Sequence, residues 1–266
     1  MVPLSEREFR QFQAFIHQAA GISLSANKKA LVSGRLEKRL RERQLGSYAQ
    51  YLDLLRQPRE ADEVQLAVDL LTTNETYFFR EPRHFELLRE LALDARRQGR
   101  PLRVWSAACS SGEEPYSIAM VLADVQSEPG WELLASDISS RMLARARAGH
   151  YTDSRTEGIP PGYRQRFCLR GTGPQQGTLL VQRELRQRVR FEQVNLDRPL
   201  PSLGQFDIVF LRNVMIYFDS ATKRDVVARL VMTLKRGGHL LIGHSESLTD
   251  MHAELQPVVP SVYRRL

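Results

Sequence analysis

The stretch that decides the fold is Arg103-Val-Trp-Ser-Ala-Ala-Cys-Ser-Ser-Gly-Glu-Glu-Pro-Tyr-Ser-Ile-Ala119. It starts as an apolar strand, passes through a turn of small residues that contains Gly112, and opens a helix at Pro115, since proline is favoured in a first helical turn. This is the position of a nucleotide-binding turn in a doubly wound sheet. With a single glycine, the turn alone is a weak signal.

Beyond Arg100, short apolar runs alternate with amphipathic segments. The runs are 102–105, 132–135, 189–194, 206–211 and 239–242, and the predicted helices begin at Pro115, Ser139 and Ala221. This alternation predicts an α/β fold, a doubly wound parallel sheet with helices on both faces.

An insertion interrupts this pattern. Roughly 40 residues separate Gly149 from the strand at Val189, where a connection usually takes about 2 to 6. Within them, the turn 171–177 separates Phe167-Cys-Leu-Arg170 from Thr178-Leu-Leu-Val181, which is typical of a hairpin. We predict a small antiparallel β-subdomain at about residues 152–188.

The first part of the chain shows only helical periodicity, from Ser5 to about Thr73. We therefore expect an N-terminal all-helical domain at residues 1–78, a linking helix at 79–99 and an α/β domain at 100–266. The apolar positions that carry the periodicity are Phe9, Phe12, Phe15, Ile16, Leu31, Val32, Leu36, Leu40, Tyr48 to Leu55, Val64, Val68 and Leu71.

Composition excludes several protein classes. The chain has 266 residues, 42% of them apolar, and 38 Lys and Arg against 31 Asp and Glu, a net charge of +7. Disorder, a collagenous repeat and a membrane span are excluded. Because the N-terminus has no apolar signal core, we expect a cytoplasmic protein. Cys109 and Cys168 form no Cys-x-x-Cys pair, and the histidines show no ligand spacing, so we expect reduced thiols and no metal.

Charge in the turn bears on the ligand. Glu113 and Glu114 stand at the helix N-terminus, where a pyrophosphate would need bare N–H groups, so a dinucleotide is disfavoured. A cofactor with an ammonium group and no phosphate, such as S-adenosylmethionine, suits this position. The alternative is that the glutamates only complement the helix dipole.

Other polar residues follow predicted strands. Asp137 ends a strand about 25 residues after Gly112, where an acidic side chain accepts hydrogen bonds from ribose hydroxyls; the alternative is a cap on the helix near Ser139. Asn195-Leu196 and Arg212-Asn213 also follow strands. Carboxyl ends of parallel strands form the ligand-binding edge of such sheets.

Five segments carry a family resemblance: Leu71-Thr-Thr-Asn-Glu-Thr-Tyr-Phe-Phe-Arg80, Trp105-Ser-Ala-Ala-Cys-Ser-Ser-Gly-Glu-Glu-Pro-Tyr-Ser117, Ala135-Ser-Asp-Ile138, Phe206-Asp-Ile-Val-Phe-Leu-Arg-Asn-Val-Met-Ile-Tyr-Phe218 and Gly237-Gly-His-Leu-Leu-Ile-Gly-His-Ser-Glu-Ser247. In this order, over nearly the whole chain, they resemble the chemotaxis receptor methyltransferases, the CheR family.

The resemblance implies a class I methyltransferase fold behind a helical domain, and methylation of glutamate side chains on the cytoplasmic signalling domain of chemoreceptors. S-adenosylmethionine would be the donor and S-adenosylhomocysteine the product, and the resemblance implies a monomer that binds no nucleic acid. The implied cofactor contacts are Asn74, Thr76, Arg80, Glu114, Asp137, Asn195, Leu196, Arg212 and Asn213.

The acceptor needs no general base, because a glutamate with a pKa near about 4.3 is ionised at pH 7. Alignment of the reactants is the main task and contributes about 7 to 11 kcal/mol. We assign Arg80 and Tyr217 to the incoming carboxylate as catalytic residues. The alternatives are a core role for Tyr217 and, for Arg80, a salt bridge to the cofactor carboxylate alone.

Two surfaces are candidates for receptor binding. Arg35, Lys38 and Arg41 form a basic helix edge without aromatic residues for base stacking, which favours an acidic receptor helix over nucleic acid; the alternative is a solvated face. In the insertion, the resemblance suggests a site for a receptor C-terminal peptide. Its residues would be Arg170, Gly171, Gly173, Gly177 and Arg188, and the alternative is a hairpin that shields the cofactor cleft.

Parts of the sequence suggest three other functions. Gly243-His-Ser-Glu-Ser247 resembles a nucleophile elbow but lacks its final glycine, so a hydrolase is disfavoured. A methyltransferase of the same fold acting on another substrate, such as nucleic acid, stays open because of the basic charge. A catalytically idle binding module is the third, and Arg80 and Tyr217 argue against it.

Overall fold

The computed structural model describes residues 3–125, 130–248 and 252–266. The chain forms two compact units, Met1–Thr73 with Tyr217–Lys223, and Asn74–Ile216 with Arg224–Leu266. The division thus falls after residue 73, whereas we expected it after residue 78, and the first unit also takes in a short segment from late in the chain. Local periodicity could not predict that residues 217–223 belong to the first unit, because the pairing of Ile22 with Phe218 joins residues distant in sequence.

The first unit is helical, as predicted, with α1 (Glu6–Ala20), α2 (Lys29–Glu42), α3 (Tyr48–Leu55) and α4 (Ala61–Leu71). A capping box starts α1: the Ser5 hydroxyl accepts the Glu8 N–H at 3.2 Å, and the Glu8 carboxylate accepts the Ser5 N–H at 2.9 Å. The helices enclose a core of fully buried apolar side chains that includes Phe12, Ile16, Leu36, Leu40 and Tyr51.

The second unit begins with α5 (Pro82–Arg97), the segment expected as a linking helix. One face of α5 is buried and belongs to the same hydrophobic core as the strands that follow. The helix is therefore an integral layer of the α/β unit, because its apolar positions form a continuous stripe: Phe85, Leu88, Ala92 and Ala95.

Ten strands lie in the described residues of this unit: β1 (Leu102–Ser106), β2 (Trp131–Asp137), β3 (His150–Thr152), β4 (Cys168–Arg170), β5 (Thr178–Val181), β6 (Val189–Gln193), β7 (Phe206–Leu211), β8 (Leu234–Ile242), β9 (Leu255–Val259) and β10 (Val262–Arg265). The connecting helices are α6 (Glu113–Val125), α7 (Ser140–Ala148), α8 (Pro161–Phe167), α9 (Arg183–Gln187) and α10 (Ser220–Thr233), the last of which has its first turn, up to Lys223, in the first unit.

Seven strands form one sheet in the order β6-β2-β1-β7-β8-β10-β9. The pairings from β6 to β8 are parallel, as predicted, and Val104 of β1 lies opposite Leu133 on one side and Ile208 on the other. The last hairpin, β9 and β10, pairs antiparallel. Sequence analysis missed it because β9 is mostly exposed and contains Pro257, which obscures a strand pattern.

The predicted insertion is a separate three-stranded antiparallel sheet in the order β3-β5-β4. The hairpin of β4 and β5 encloses the glycine-bearing turn, which confirms the expected subdomain. No helix among the described residues is long and apolar enough to cross a membrane.

Candidate cofactor site

Asp137 closes β2 at the carboxyl edge of the sheet and is 7% exposed. Its carboxylate accepts the N–H of Ser110 and the N–H of Ser139, each at 2.8 Å. The cap of α7 is Ser139, whose hydroxyl accepts the Met142 N–H at 3.2 Å. Asp137 therefore joins the turn after β1 to the start of α7, so that the two turns are held beside one another.

Close packing explains the one glycine of the turn. Gly112 has φ +99°, and a Cβ there would lie 2.8 Å from Tyr151 Oη and 2.9 Å from Ala146 Cβ. Both the backbone conformation and the contact exclude larger residues. The motif departs from a glycine-rich dinucleotide turn because only this position requires glycine.

The two adjacent glutamates of the turn have different surroundings. Glu113 is fully buried and bonded to Arg155 and to the Ser111 hydroxyl, the latter at 2.7 Å. Glu114 accepts the Ser106 hydroxyl at 2.7 Å, and burial raises its pKa although the nearby Arg212 opposes the rise. Glu114 is thus the member of the pair whose charge a cationic ligand group would stabilise.

Arg212 follows β7 and its side chain is 2% exposed. Its Nε lies 3.2 Å from Glu81 Oε2, its Nη1 lies 3.5 Å from Glu114 Oε2, and its Nη2 donates to the Arg80 carbonyl. Within the described residues, neither Nε nor Nη1 makes a hydrogen bond of normal geometry. Buried guanidinium donors without such partners fit an anionic ligand group, because leaving them unpaired is costly.

Glu81, His84 and His244 place three possible metal-ligand atoms within 4.8 Å of one another. The Arg212 guanidinium already faces this carboxylate: burial, the largest single influence, would raise the pKa of Glu81, but Arg212 together with His244 and His84 lowers it overall. Burial lowers the pKa of His84 to about 4, and Arg212 adds to this effect. The adjacent fixed cation disfavours a metal ion here, since like charges repel at this distance.

The segment before α5 carries three predicted cofactor residues, Asn74, Thr76 and Arg80. The Asn74 carbonyl accepts the Ser110 hydroxyl at 3.3 Å, and the Thr76 carbonyl faces Arg155 Nη2 at 3.5 Å. Arg80 lies over the Tyr77 ring, with Cζ 5.5 Å from the ring centroid.

Backbone strain surrounds Arg80. Its neighbours Phe79 and Glu81 have φ values of +55° and +59°, which cost energy in non-glycine residues and persist only where surrounding contacts impose them. One such contact is the Phe79 N–H, which donates to the Ser117 hydroxyl of α6 at 3.0 Å. The Phe79 contact thus helps hold this strained segment, in which the Arg80 carbonyl accepts Arg212 Nη2.

The remaining predicted cofactor residues also lie at this edge. The Val194 N–H donates to the Asp137 carbonyl at 3.1 Å, which places Asn195 and Leu196 directly beyond Asp137. Leu196 is 7% exposed and its carbonyl accepts Arg229 Nη1 at 2.7 Å. Asn213 follows Arg212 in the left-handed region, with φ +57°.

Tyr217 lies in the other unit, where its carbonyl accepts the Ser23 N–H at 2.7 Å. Its side chain is half-buried. The structure thus groups Tyr217 with the helical unit and not with the residues of the sheet edge, and its catalytic part stays a prediction.

Arg35 was expected to form part of an exposed basic docking edge on α2, but its side chain contacts the end of α4. Its Nη1 donates to the carbonyls of Leu71 and Thr72 at 3.2 and 2.8 Å, so Arg35 caps the end of α4 instead of standing free for a partner. Lys38 and Arg41 are exposed, and Lys38 makes a long i,i+4 ion pair with Glu42 at 3.6 Å. The predicted docking face therefore depends on these two residues.

In the insertion, Arg170 is exposed at the end of β4. Gly171 packs so closely that a Cβ would lie 1.9 Å from the Gln175 carbonyl oxygen, and Gly173 and Gly177 have positive φ. Arg188 stacks 3.6 Å from the Trp131 ring centroid and donates to the Trp131 carbonyl at 3.0 Å. Its guanidinium is thus held against the main sheet, which leaves Arg170 as the better candidate for peptide binding.

Sequence reasoning missed several residues of the site: Glu81, Ser110, Arg155 and Glu246. Glu81 directly follows the Arg80 motif and stands three residues before His84, a spacing that brings two side chains together on a helix. Arg155 carried no signal, because its contact with Glu113 depends on how the insertion folds back on the turn.

Comparison with known proteins gives two adjoining family matches. Residues 7–72 match the CheR methyltransferase all-alpha domain, and residues 74–263 match the CheR methyltransferase SAM binding domain. S-adenosylmethionine is therefore the cofactor of this chain, and the acidic residues with the buried guanidinium fit such a zwitterionic, phosphate-free molecule.

Curated relatives agree over nearly full length. The chemotaxis protein methyltransferase of Salmonella typhimurium is 43% identical over 263 residues, covering 98% of this chain and 90% of that protein. Chemotaxis protein methyltransferase 2 of Pseudomonas aeruginosa is 44% identical over 262 residues, covering 97% and 93%.

Among solved structures, the N-methyltransferase NodS of Bradyrhizobium japonicum WM9 with S-adenosyl-l-homocysteine overlaps with a TM-score of 0.39 at 15% identity, covering 70% of this chain and 87% of NodS. That overlap is too partial to add to the assignment. The two family matches and the full-length relatives are sufficient: the chain belongs to the CheR methyltransferase family.

Proposed function

We propose that the protein is a protein-glutamate O-methyltransferase that modifies the cytoplasmic signalling domain of chemoreceptors. The observation that carries the proposal is the buried Arg212, two of whose donors have no hydrogen-bond partner among the described residues, beside Glu114 at the ligand edge of the sheet. Family membership in chemotaxis supports the receptor as substrate.

The charges of the edge suggest how the cofactor is held. Arg212 would bind its carboxylate, Glu114 its ammonium group and Asp137 its ribose hydroxyls, with Asn74, Thr76, Asn195, Leu196 and Asn213 around them. Bound S-adenosylmethionine supplies an electrophilic methyl group. The protein's part is then to orient the acceptor and exclude water, because no proton has to be removed from an ionised carboxylate.

Arg80 is proposed to orient the acceptor carboxylate. Its guanidinium can bind a carboxylate through two parallel hydrogen bonds, which fixes the direction of the attacking oxygen. Tyr217 is proposed to donate one further hydrogen bond. A single neutral donor orients the acceptor without neutralising its charge, so the carboxylate stays nucleophilic.

Receptor capture is proposed to use two surfaces away from the reacting groups. Lys38 and Arg41 would attract an acidic receptor helix, and the β4 edge with Arg170 and the turn 171–177 would add a receptor C-terminal peptide as an extra strand. Such a peptide acts as a tether and raises the local concentration of enzyme near the methylated helices.

Methyl transfer from tritiated cofactor to receptor-containing membranes, compared with RNA, tests the proposal. A carboxyl methyl ester releases volatile methanol in base, whereas a base or ribose methyl does not. We expect base-labile label on receptor only. Base-stable label on RNA would replace the proposed substrate with nucleic acid, and cofactor binding without any transfer would indicate an idle binding module.

A further inference from the structure

Glu246 lies in the loop after β8, in the segment that resembles a nucleophile elbow. Its side chain turns back onto backbone N–H groups. Oε2 accepts the N–H of Gly243 at 2.7 Å and that of Asn213 at 2.9 Å, and Oε1 accepts the N–H of Met215 at 2.8 Å. The Ile216 N–H also bonds to this carboxylate.

Only an ionised carboxylate can serve these donors. It accepts on both oxygens, whereas a carboxamide or a protonated acid has a donor in place of part of that capacity. Burial raises the pKa of Glu246, and the backbone N–H bonds oppose the rise. The glutamate thus ties together two loops, residues 213–216 after β7 and residues 243–246 after β8.

The packing of the two loops leaves little room for another arrangement. Asn213 has φ +57°, a conformation that its surroundings must impose. A Cβ at Gly243 would lie 2.4 Å from Asn213 Nδ2 and 2.9 Å from Glu246 Oε2. Gly243 therefore permits the close approach, and Glu246 supplies the hydrogen bonds that hold it.

We propose that Glu246 is a positioning residue that sets the backbone of Asn213–Ile216 and thereby the cofactor contacts of Arg212 and Asn213. The cofactor part of this inference rests on the proposed function, whereas the hold on the loop does not. The same contacts fix the two residues that precede Tyr217 in the chain. In the elbow-like motif, the residue with this structural role is thus the glutamate at the fourth position, and not the serine.

Hydrogen exchange of the ligand-free protein, followed by calorimetry with S-adenosylhomocysteine, tests the inference with Glu246→Gln. The matched control is Glu132→Gln, which removes an exposed carboxylate with one ion pair to Arg103. We expect exchange at the amides of Asn213, Met215 and Ile216 to accelerate about tenfold or more in Glu246→Gln, with the helices of both units unchanged, and the product to bind about tenfold more weakly.

Glu246→Asp is the second variant, since it keeps two acceptor oxygens on a side chain one methylene shorter. It should restore part of the protection and part of the affinity. Unchanged exchange and affinity in Glu246→Gln would overturn the inference, and so would an acceleration spread over the whole domain. Failure of the wild type to methylate receptors would instead count against the proposed function, because the exchange readout needs no acceptor.

Discussion

The carboxyl edge of the sheet and helix α2 both concentrate charged side chains, but they differ in how fully these side chains are hydrogen-bonded within the protein. At the edge, Arg212 is buried, and two of its donors form no hydrogen bond within the part of the chain that the structure describes; it lies next to Glu114, whose pKa is raised by burial. On α2, Arg39 donates from Nε and Nη2 to the two carboxylate oxygens of Glu63, at 2.8 and 2.6 Å, and Arg35 donates to the carbonyls that end α4.

Charge density in a sequence therefore does not by itself mark a site. Arg35 and Arg39 of α2 have partners at α4, which no local pattern reveals, whereas Lys38 and Arg41 stay exposed. The sheet edge differs because some of its buried donors form no hydrogen bond with the described residues. Such donors cost free energy until a ligand accepts hydrogen bonds from them.

Arg212→Ala should have the largest effect. It leaves the largely buried carboxylates of Glu81 and Glu114 without their cation, and breaking a buried ionic network costs about 3–5 kcal/mol. Urea unfolding monitored by near-UV circular dichroism measures this loss in the second unit. The control is Arg236→Ala, an exposed arginine that bonds the Leu266 carbonyl, and equal stability of the two variants would contradict the network.

Glu63→Gln should destabilise the helical unit by about 3 kcal/mol, because Arg39 and the Tyr51 hydroxyl both lose a charged partner that is 3% exposed. Product binding should be unchanged within about twofold. Chemical denaturation measures the stability and calorimetry the product affinity, both on the same preparation. A large loss of product affinity without unfolding would show that the α2 cluster is part of the site after all.

Acid should weaken the fold through His84. Because its folded pKa is depressed from 6.5 to about 4, the neutral form is favoured in the folded state. Its contribution is present above about pH 6.5 and is lost as the pH falls towards 4, amounting to about 2–3 kcal/mol. Urea midpoints measured from pH 7 to 4 should fall less steeply in His84→Gln. Equal slopes of urea midpoint against pH in the wild type and His84→Gln would show that other groups dominate the pH dependence of stability.

Asp137→Ala should weaken binding of S-adenosylhomocysteine by about 2 kcal/mol, through lost charged hydrogen bonds to the ligand and a less ordered Ser110 turn. Calorimetry on the folded variant measures it. Unchanged affinity would remove Asp137 from the cofactor site and leave it only its role between the two turns.

Lys38→Glu with Arg41→Glu should have the smallest effect. We expect receptor methylation to slow by about three- to tenfold at low salt, product binding to be unchanged, and the difference to vanish at high salt. The matched control is Arg56→Glu, an exposed residue of the same unit outside α2. A double variant that methylates like the control would identify this edge as a solvated face.

The fold was largely predictable because its elements carry strong periodic signals. The helices of the first unit and the five parallel strands follow from apolar spacing alone, as α3 and β7 show by matching the predicted bounds. The C-terminal hairpin and the return of 217–223 to the helical unit were missed, since exposed strands and distant pairings leave no local pattern.

The site was predictable in part. Residues that follow strands, such as Asp137 and Arg212, could be placed at the ligand edge from topology. Their partners could not: the Arg155–Glu113 pair, the strained backbone on both sides of Arg80 and the four donors of Glu246 all depend on contacts between segments far apart in sequence.

The most direct test of the account compares two ligands by calorimetry, S-adenosylhomocysteine and 5′-methylthioadenosine, which lacks the amino-acid carboxylate and ammonium group. The variant is Arg212→Lys, which keeps the charge but loses the planar set of donors. We predict that the wild type prefers S-adenosylhomocysteine by about 100-fold or more, and that the variant loses most of this preference while its affinity for 5′-methylthioadenosine changes less than about twofold. Equal weakening of both ligands, or an undiminished preference, would contradict the assignment of Arg212 to the cofactor carboxylate.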